Sequence, residues 1–85
     1  MSIRILLADD HKIVREGLRA FLEKQPDMEV IEEAQDGLST VRLAKKLQPD
    51  IVIVDVGMPD LNGIEATRQI VAETKGVRVI GLSRH

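Results

Sequence analysis

The sequence predicts an α/β fold in which a parallel sheet carries helices on both faces. Four short apolar runs alternate with three segments of helical periodicity, and turn residues separate them. Such alternation is typical of parallel strands joined by crossover helices. The chain has 85 residues with 44% apolar content, as expected for one soluble globular domain. Residues 1–85 are therefore predicted to form a single domain.

The first third of the chain is predicted to form strand, helix and strand. Residues 3–8 are apolar nearly throughout, which indicates a buried strand. Asp10 is expected to cap the following helix, which should end near Gln25 because Pro26 disfavours helical geometry before it. The predicted apolar face of this helix comprises Ile13, Val14, Gly17, Leu18, Phe21 and Leu22. Residues 29–34 form a second, weaker strand.

The middle of the chain repeats this pattern. A turn signal, Asp36-Gly37, precedes a helix predicted over residues 39–47, and Pro49 follows that helix. The predicted inner face of the helix comprises Leu38, Val41, Ala44 and Leu47. Residues 51–54 are the clearest strand of the chain, since all four are β-branched and apolar.

The last part begins with a loop at residues 56–63 that is rich in Gly, Pro and Asn. A third helix is predicted over residues 63–73, with Gly76 closing it and a fourth strand over residues 77–82. The predicted inner face of this helix comprises Ile64, Thr67, Ile70 and Val71.

Three aspartates follow the first and third predicted strands. Asp9 and Asp10 come directly after the first, and Asp55 comes after the third. If these strands are parallel neighbours, the carboxylates meet at the sheet edge where α/β proteins bind ligands. Crowded carboxylates need a cation, and a carboxylate beside bound Mg²⁺ can act as a nucleophile toward phosphorus. The first hypothesis is therefore a magnesium-dependent phosphoryl acceptor, with Asp55 as the acceptor.

Each acid also has a purely structural interpretation. The Asp9-Asp10 pair could be a helix cap with a neighbouring surface acid, and Asp55 could cap a strand end. Their grouping favours the cation site, because burying several carboxylates together is costly without a compensating charge. The loop adds a further candidate ligand, since Gly57 offers its carbonyl oxygen without side-chain obstruction.

Composition excludes several other classes of function. A net charge of −2 and a pI near 5.6 argue against non-specific binding of nucleic acid. The sequence has no cysteine, so disulfides and thiolate metal sites are excluded. No membrane-spanning stretch or secretory pattern is found, and we expect a cytoplasmic location.

These residues resemble the receiver domain of bacterial two-component response regulators. The resemblance is carried by the Asp9-Asp10 pair, by Asp55 within the segment 55–63, and by Ser83 after the fourth strand. The segment 7–18 is similar to the subfamily with LuxR-type helix-turn-helix output domains. The resemblance covers the whole chain, and it implies a flavodoxin-like fold with strand order 2-1-3-4.

The family implies a role for each of these residues. Asp55 would accept a phosphoryl group from a histidine kinase. Asp10 would bind Mg²⁺ directly, Asp9 directly or through water, and Gly57 through its carbonyl. Ser83 would be the switch hydroxyl that turns toward the phosphoryl group. Such a protein catalyses at most its own phosphorylation and dephosphorylation, so it is not expected to be an enzyme acting on a metabolite.

The resemblance also implies a truncation. Receivers continue through a fourth helix, a fifth strand and a fifth helix, whereas this chain ends at His85. The fifth strand is followed by a lysine that pairs with the phosphoryl group, and no lysine here is expected to replace it. We therefore expect slow phosphorylation, no DNA binding by this chain, and homo-oligomers formed through the open edge of the strand at residues 77–82.

Two alternatives remain. The chain could be a self-associating assembly module whose phosphorylation site is impaired or silent. It could also be a small phosphatase with an aspartyl nucleophile, similar to the haloacid dehalogenases. Those enzymes place a second acid two residues after the nucleophile, where this sequence has Gly57. That departure counts against the phosphatase.

Overall fold

One four-stranded parallel sheet organises the molecule, and three helices connect its strands. The computed structural model describes residues 2–55, 63–74 and 76–82, and in the last helix it describes the side chains of residues 65 and 68–72. The elements are β1 (Ile3–Ala8), α1 (Lys12–Glu23), β2 (Met28–Ala34), α2 (Gly37–Leu47), β3 (Ile51–Asp55), α3 (Gly63–Glu73) and β4 (Arg78–Leu82).

The strand order is β2-β1-β3-β4, which confirms the predicted order 2-1-3-4. All three pairings are parallel. In the central pair, Ile5 lies opposite Ile51 and Ala8 lies opposite Val54. Because β1 and β3 run in the same direction with this register, both strands end at the same edge of the sheet.

The core has two parts, one on each face of the sheet. Leu6 and Ala8 of β1 point toward α2 and α3, whereas Ile5 and Leu7 point toward α1, as the two-residue period of a strand requires. The first part contains Leu6, Ala8, Ala34, Val41, Ala44, Val52, Val54 and Ile70. The second contains Ile5, Leu7 and Val30, with Leu18 and Leu22 of α1 packed against them. The predicted placement of helices on both faces is confirmed.

Only part of the predicted apolar face of α1 lies against the sheet. Val14, Leu18 and Leu22 are half-buried, since four-residue steps keep them on one side of the helix. Ile13 and Phe21 are 83% and 63% exposed, and Gly17 is exposed as well, because these three residues lie on the flank of the helix that is turned away from β1 and β2. The helix also ends at Glu23, two residues before the predicted position.

Two residues assigned to inner faces are in fact exposed. Leu38 of α2 is 68% exposed and Val71 of α3 is 60% exposed, so both assignments were wrong. The buried positions of α2 are Gly37, Thr40, Val41 and Ala44, a 3.6-residue pattern that leaves Leu38 at its side. In α3, Ile70 is fully buried, and its neighbour Val71 is rotated away from the sheet. The predictions for Ile64 and Thr67 lie outside the described side chains.

The Asp36-Gly37 signal marks a helix start. Asp36 is the N-cap of α2, and its Oδ1 atom accepts a hydrogen bond of 2.7 Å from the amide of Ser39. The helix therefore begins at Gly37, two residues earlier than predicted. At its other end, the Arg4 side chain donates hydrogen bonds to the carbonyl oxygens of Leu47 and Gln48, at 2.9 and 3.0 Å.

The last helix begins and ends at the predicted residues. Gly76 follows it with φ of +80°, a conformation that favours glycine. Within the described ranges, no helix has the length and apolarity needed to cross a membrane.

We predict that Ile70→Ala lowers the free energy of unfolding by about 2–4 kcal/mol, because it leaves a cavity in the core beneath α3. Ile13→Ala is the matched control, since it removes the same atoms from an exposed position and should change stability by about 0.5 kcal/mol at most. Urea denaturation followed by circular dichroism measures both. Equal losses in the two variants would contradict the described burial.

Candidate metal centre

The carboxyl edge of the sheet brings the three predicted acids together. Asp9 and Asp10 follow β1, and Asp55 is the last residue of β3. One carboxylate oxygen from each of these residues and one ring nitrogen of His11 lie within 4.8 Å of one another. This proximity follows from the sheet register. Because Ala8 of β1 lies opposite Val54 of β3, the next residues, Asp9 and Asp55, lie at the same height along the sheet.

The cluster is buried at its base and open at its rim. Asp9 and Asp55 are each 2% exposed. The Asp10 side chain is 27% exposed and the His11 side chain is 55% exposed. A cation from solvent would therefore approach from the side of Asp10 and His11.

Asp9 is anchored at its main chain and at its side chain. Its amide donates a hydrogen bond of 3.0 Å to the Ala34 carbonyl at the end of β2. Its carbonyl oxygen accepts a hydrogen bond of 2.6 Å from Nη1 of Arg15 on α1. Its Oδ1 atom accepts a hydrogen bond of 2.8 Å from the amide of His11. Three neighbouring segments thus fix the position of this residue.

The helix cap differs from the prediction. His11, not Asp10, is the N-cap of α1, and no side chain makes a capping hydrogen bond there. The reason is local, because the Asp9 carboxylate accepts the His11 amide and holds the turn extended before the helix begins. Asp10 Oδ1 instead lies 2.9 Å from Nδ1 of His11. His11 lies immediately before the helix, and its ring belongs to the cluster.

A second group of charged residues supports the cluster from β2. Glu33 accepts hydrogen bonds from Arg15 Nε at 3.0 Å and from Arg19 Nη1 at 2.5 Å. Arg19 also pairs with Glu23 at 3.4 Å. The hydrogen bond from Arg19 lowers the pKa of Glu33 below its ordinary value; burial opposes this shift, and the hydrogen bond from Arg15 adds to it. Glu33 is therefore held as a carboxylate between two guanidinium groups.

The electrostatics of the cluster suit a small divalent cation. Ionised carboxylates whose oxygen atoms lie within 4.8 Å of one another would repel each other by roughly 3 kcal/mol or more at an effective dielectric constant of about 20. Oxygen atoms of carboxylates are the ligands that Mg²⁺ prefers, and Mg²⁺ keeps several waters. A cluster with two buried acids and one partly exposed acid supplies such oxygens and leaves a solvent side for water.

Two predicted site residues cannot be placed by this geometry. Gly57 and Ser83 lie outside the described residues, so their assignments stay predictions.

The sequence patterns did not predict a role for Arg15 or Glu33. A signal for Arg15 exists, because a side chain in the first turn of a helix leans back toward the helix start, here toward Asp9. The pairing of Arg15 with Glu33 depends on how α1 packs on β2, which no local pattern specifies.

Comparison with known proteins gives a family match over nearly the whole chain. The family model of the response regulator receiver domain matches residues 5–85. The transcriptional regulatory protein LiaR of Bacillus subtilis is 54% identical over 81 residues, which are 95% of this chain and 38% of LiaR. The transcriptional regulatory protein DegU of Brevibacillus brevis is 40% identical over 84 residues, which are 99% of this chain and 36% of DegU. The chain thus spans well under half of these relatives.

Solved structures give the same result for the fold. The response regulator domain of Thermotoga maritima CheB superimposes with a TM-score of 0.92 at 42% identity, covering 98% of this chain and 61% of that chain. A two-component response regulator of the LuxR family from Aurantimonas sp. SI85-9A1 superimposes with a TM-score of 0.93 at 41% identity, covering 100% of this chain and 61% of that chain. The flavodoxin-like architecture predicted from the sequence is confirmed.

We predict that Asp55→Asn raises the thermal unfolding midpoint in the presence of a chelator, because it removes one of three mutually repelling charges. The expected gain is about 1–3 kcal/mol, and for a domain of this size each kcal/mol corresponds to roughly 4–8 °C. Mg²⁺ should raise the midpoint of the parent chain and have little effect on the variant.

Differential scanning calorimetry with and without MgCl₂ measures these shifts. Asp27→Asn is the control, since it neutralises an exposed acid outside the cluster and should leave the response to Mg²⁺ intact. If Asp55→Asn unfolds at a lower temperature than the parent chain in the chelator, repulsion among the three carboxylates does not destabilise the parent chain.

Proposed function

Because this chain belongs to the response regulator receiver domain family, we propose that it accepts a phosphoryl group from a histidine kinase on Asp55. One observation carries the proposal: Asp55 is 2% exposed at the end of β3, and its carboxylate lies in the cluster with those of Asp9 and Asp10. A carboxylate held beside a site for a cation is suited to act as a nucleophile toward phosphorus.

The proposed transfer is a direct displacement. An oxygen of the Asp55 carboxylate attacks the phosphorus of a phosphorylated histidine on the kinase. The O–P bond forms as the P–N bond breaks, and the histidine nitrogen keeps the electron pair of the broken bond. The products are an acyl phosphate on Asp55 and an unmodified histidine. Attack by water on that phosphorus regenerates the Asp55 carboxylate and releases inorganic phosphate, so no metabolite is turned over.

Asp9, Asp10 and Asp55 would hold Mg²⁺, and the Gly57 carbonyl is the proposed further ligand. When bound, Mg²⁺ supplies positive charge that offsets both the carboxylates and the phosphoryl oxygens. Asp10 would face the solvent side of the ion, since its side chain is the most exposed of the three. Asp9 would contribute from the buried side, where the Ala34 carbonyl and Arg15 hold its main chain.

The proposal also covers the switch residue and the protein to which this domain belongs. Ser83 would be the hydroxyl that turns toward the phosphoryl group. LiaR and DegU are transcriptional regulatory proteins, and we propose a role in transcription regulation for the protein to which this domain belongs. Binding of DNA would be a property of other segments, and the site of action would be the cytoplasm.

We expect a small phosphodonor with Mg²⁺ to add one phosphoryl group to the parent chain and none to Asp55→Asn. Intact-protein mass spectrometry measures the adduct, and hydroxylamine should remove it, because an acyl phosphate is cleaved by this nucleophile. Asp27→Asn is the matched control and should be modified like the parent chain. An adduct that persists in Asp55→Asn, or that forms equally in a chelator, would contradict the proposal.

A second candidate function is self-association. Among the described residues, β4 pairs only with β3, and Ile80 on β4 is 47% exposed. A strand with one unpaired edge can pair with the same strand of another copy. In this alternative the chain is an assembly module, and its oligomeric state does not depend on Asp55.

If this second candidate is correct, Ile80→Lys reduces the oligomer to a monomer, because a lysine disfavours pairing at a strand edge. Leu38→Lys introduces the same charge at an exposed apolar residue of α2 and should leave the oligomer unchanged. Size-exclusion chromatography with light scattering measures the mass of each. A monomeric parent chain would eliminate the assembly function and leave the phosphoacceptor proposal untouched.

A further inference from the structure

Arg15 has the most buried side chain among the arginines that form ion pairs in the described part of the chain. It is 13% exposed, compared with 45% for Arg19 and 74% for Arg68. Burying a guanidinium group is unfavourable unless hydrogen bonds satisfy its donors. Arg15 makes two such bonds, one to Asp9 directly after β1 and one to Glu33 on β2.

One end of the guanidinium group contacts the metal centre through the main chain. Arg15 Nη1 donates to the carbonyl oxygen of Asp9 at 2.6 Å. That oxygen belongs to the peptide group that links Asp9 to Asp10. Its direction therefore fixes the orientation of this peptide plane, which contains the Cα atoms of both residues. The amide of Asp9 is already fixed by the Ala34 carbonyl. With both bonds in place, the main chain beside the two carboxylates has little freedom to rotate.

The other end of the guanidinium group is oriented by an acid. Arg15 Nε donates to Oε1 of Glu33 at 3.0 Å. Arg19 Nη1 donates to the second oxygen, Oε2, of the same carboxylate. Glu33 therefore accepts one hydrogen bond at each oxygen, which fixes its own orientation and, through it, that of Arg15.

We propose that Arg15 is a positioning residue of the metal centre, which sets the separation of the Asp9 and Asp10 carboxylates by holding the peptide group between them. The inference rests on the proposed function, because it assigns Arg15 a part in binding Mg²⁺ at that centre. Arg15 does not touch the ion or the phosphoryl group. It acts through Asp9, and Glu33 acts through Arg15.

The charge of Arg15 and its hydrogen bond to Asp9 are expected to have opposite effects on the affinity for Mg²⁺, so substitutions can separate the two. A guanidinium group near a cation site repels the cation, so removing the charge alone should strengthen Mg²⁺ binding. Removing the hydrogen bond to Asp9 should weaken binding, because the two carboxylates lose their fixed separation. Loss of such an outer support typically weakens metal binding by about tenfold or more.

The experiment is a titration of this chain with MgCl₂, followed by the amide signals of Asp10 and His11 in proton–nitrogen NMR spectra. Arg15→Met is expected to raise the Kd for Mg²⁺ by about tenfold. Arg15→Lys keeps the charge and one donor, so its Kd should lie between those of the parent chain and Arg15→Met. Arg68→Gln is the control: it removes an exposed arginine of α3, which pairs with Glu65 away from Glu33 and Asp9, and its Kd should stay within about twofold of that of the parent chain.

Each outcome decides the proposal. A Kd for Arg15→Met equal to or below that of the parent chain would overturn it, since the bond to Asp9 would then be only structural. If Arg15→Met does not fold, Glu33→Ala decides, because it keeps Arg15 but removes the oxygen atom that accepts from Arg15 Nε. An unchanged Kd in that variant overturns the proposal. Failure of the parent chain itself to bind Mg²⁺ would overturn the metal centre of the proposed function, and the role of Arg15 with it.

Discussion

The close approach of three carboxylates at one sheet edge constrains the functional part of this structure, because ionised carboxylates at this distance repel one another. The register of β1 against β3 places Asp9 and Asp55 at the same level, and neither is accessible enough for water to screen its charge effectively. A fold that buries such a pair gives up stability unless a cation occupies the cluster. The same register that creates this cost brings together the acids on which the proposed Mg²⁺ site depends.

The surrounding structure holds the acids in place in spite of this repulsion. Asp9 is fixed by β2 through Ala34 and by α1 through Arg15, and its carboxylate accepts the amide of His11. Both β2 and α1 are themselves anchored in the core, β2 through Val30 and Ala34 and α1 through Leu18 and Leu22. The core therefore does more than stabilise the sheet, because it also supplies the rigid frame that keeps like charges close together.

Much of the fold could be predicted from local patterns. The continuous apolar run of β3 and the alternation of strands and helices predicted the parallel sheet. The acids at the strand ends predicted the position of the site. The errors have a common cause: Leu38, Val71 and Phe21 are apolar and helical in spacing, but exposure depends on which neighbour each helix contacts. The role of Arg15 required the same tertiary information, since its partner Glu33 is 18 residues away.

The most direct test of the central claim is a crystal structure of this chain grown with Mn²⁺, which replaces Mg²⁺ and has a measurable anomalous signal. We expect one anomalous peak at the carboxyl edge of the sheet, with oxygen atoms of Asp9, Asp10 and Asp55 around it. Such a peak would place the cation where the three carboxylates repel one another. A peak elsewhere, with those carboxylates still clustered but without metal, would show that their grouping does not create a cation site.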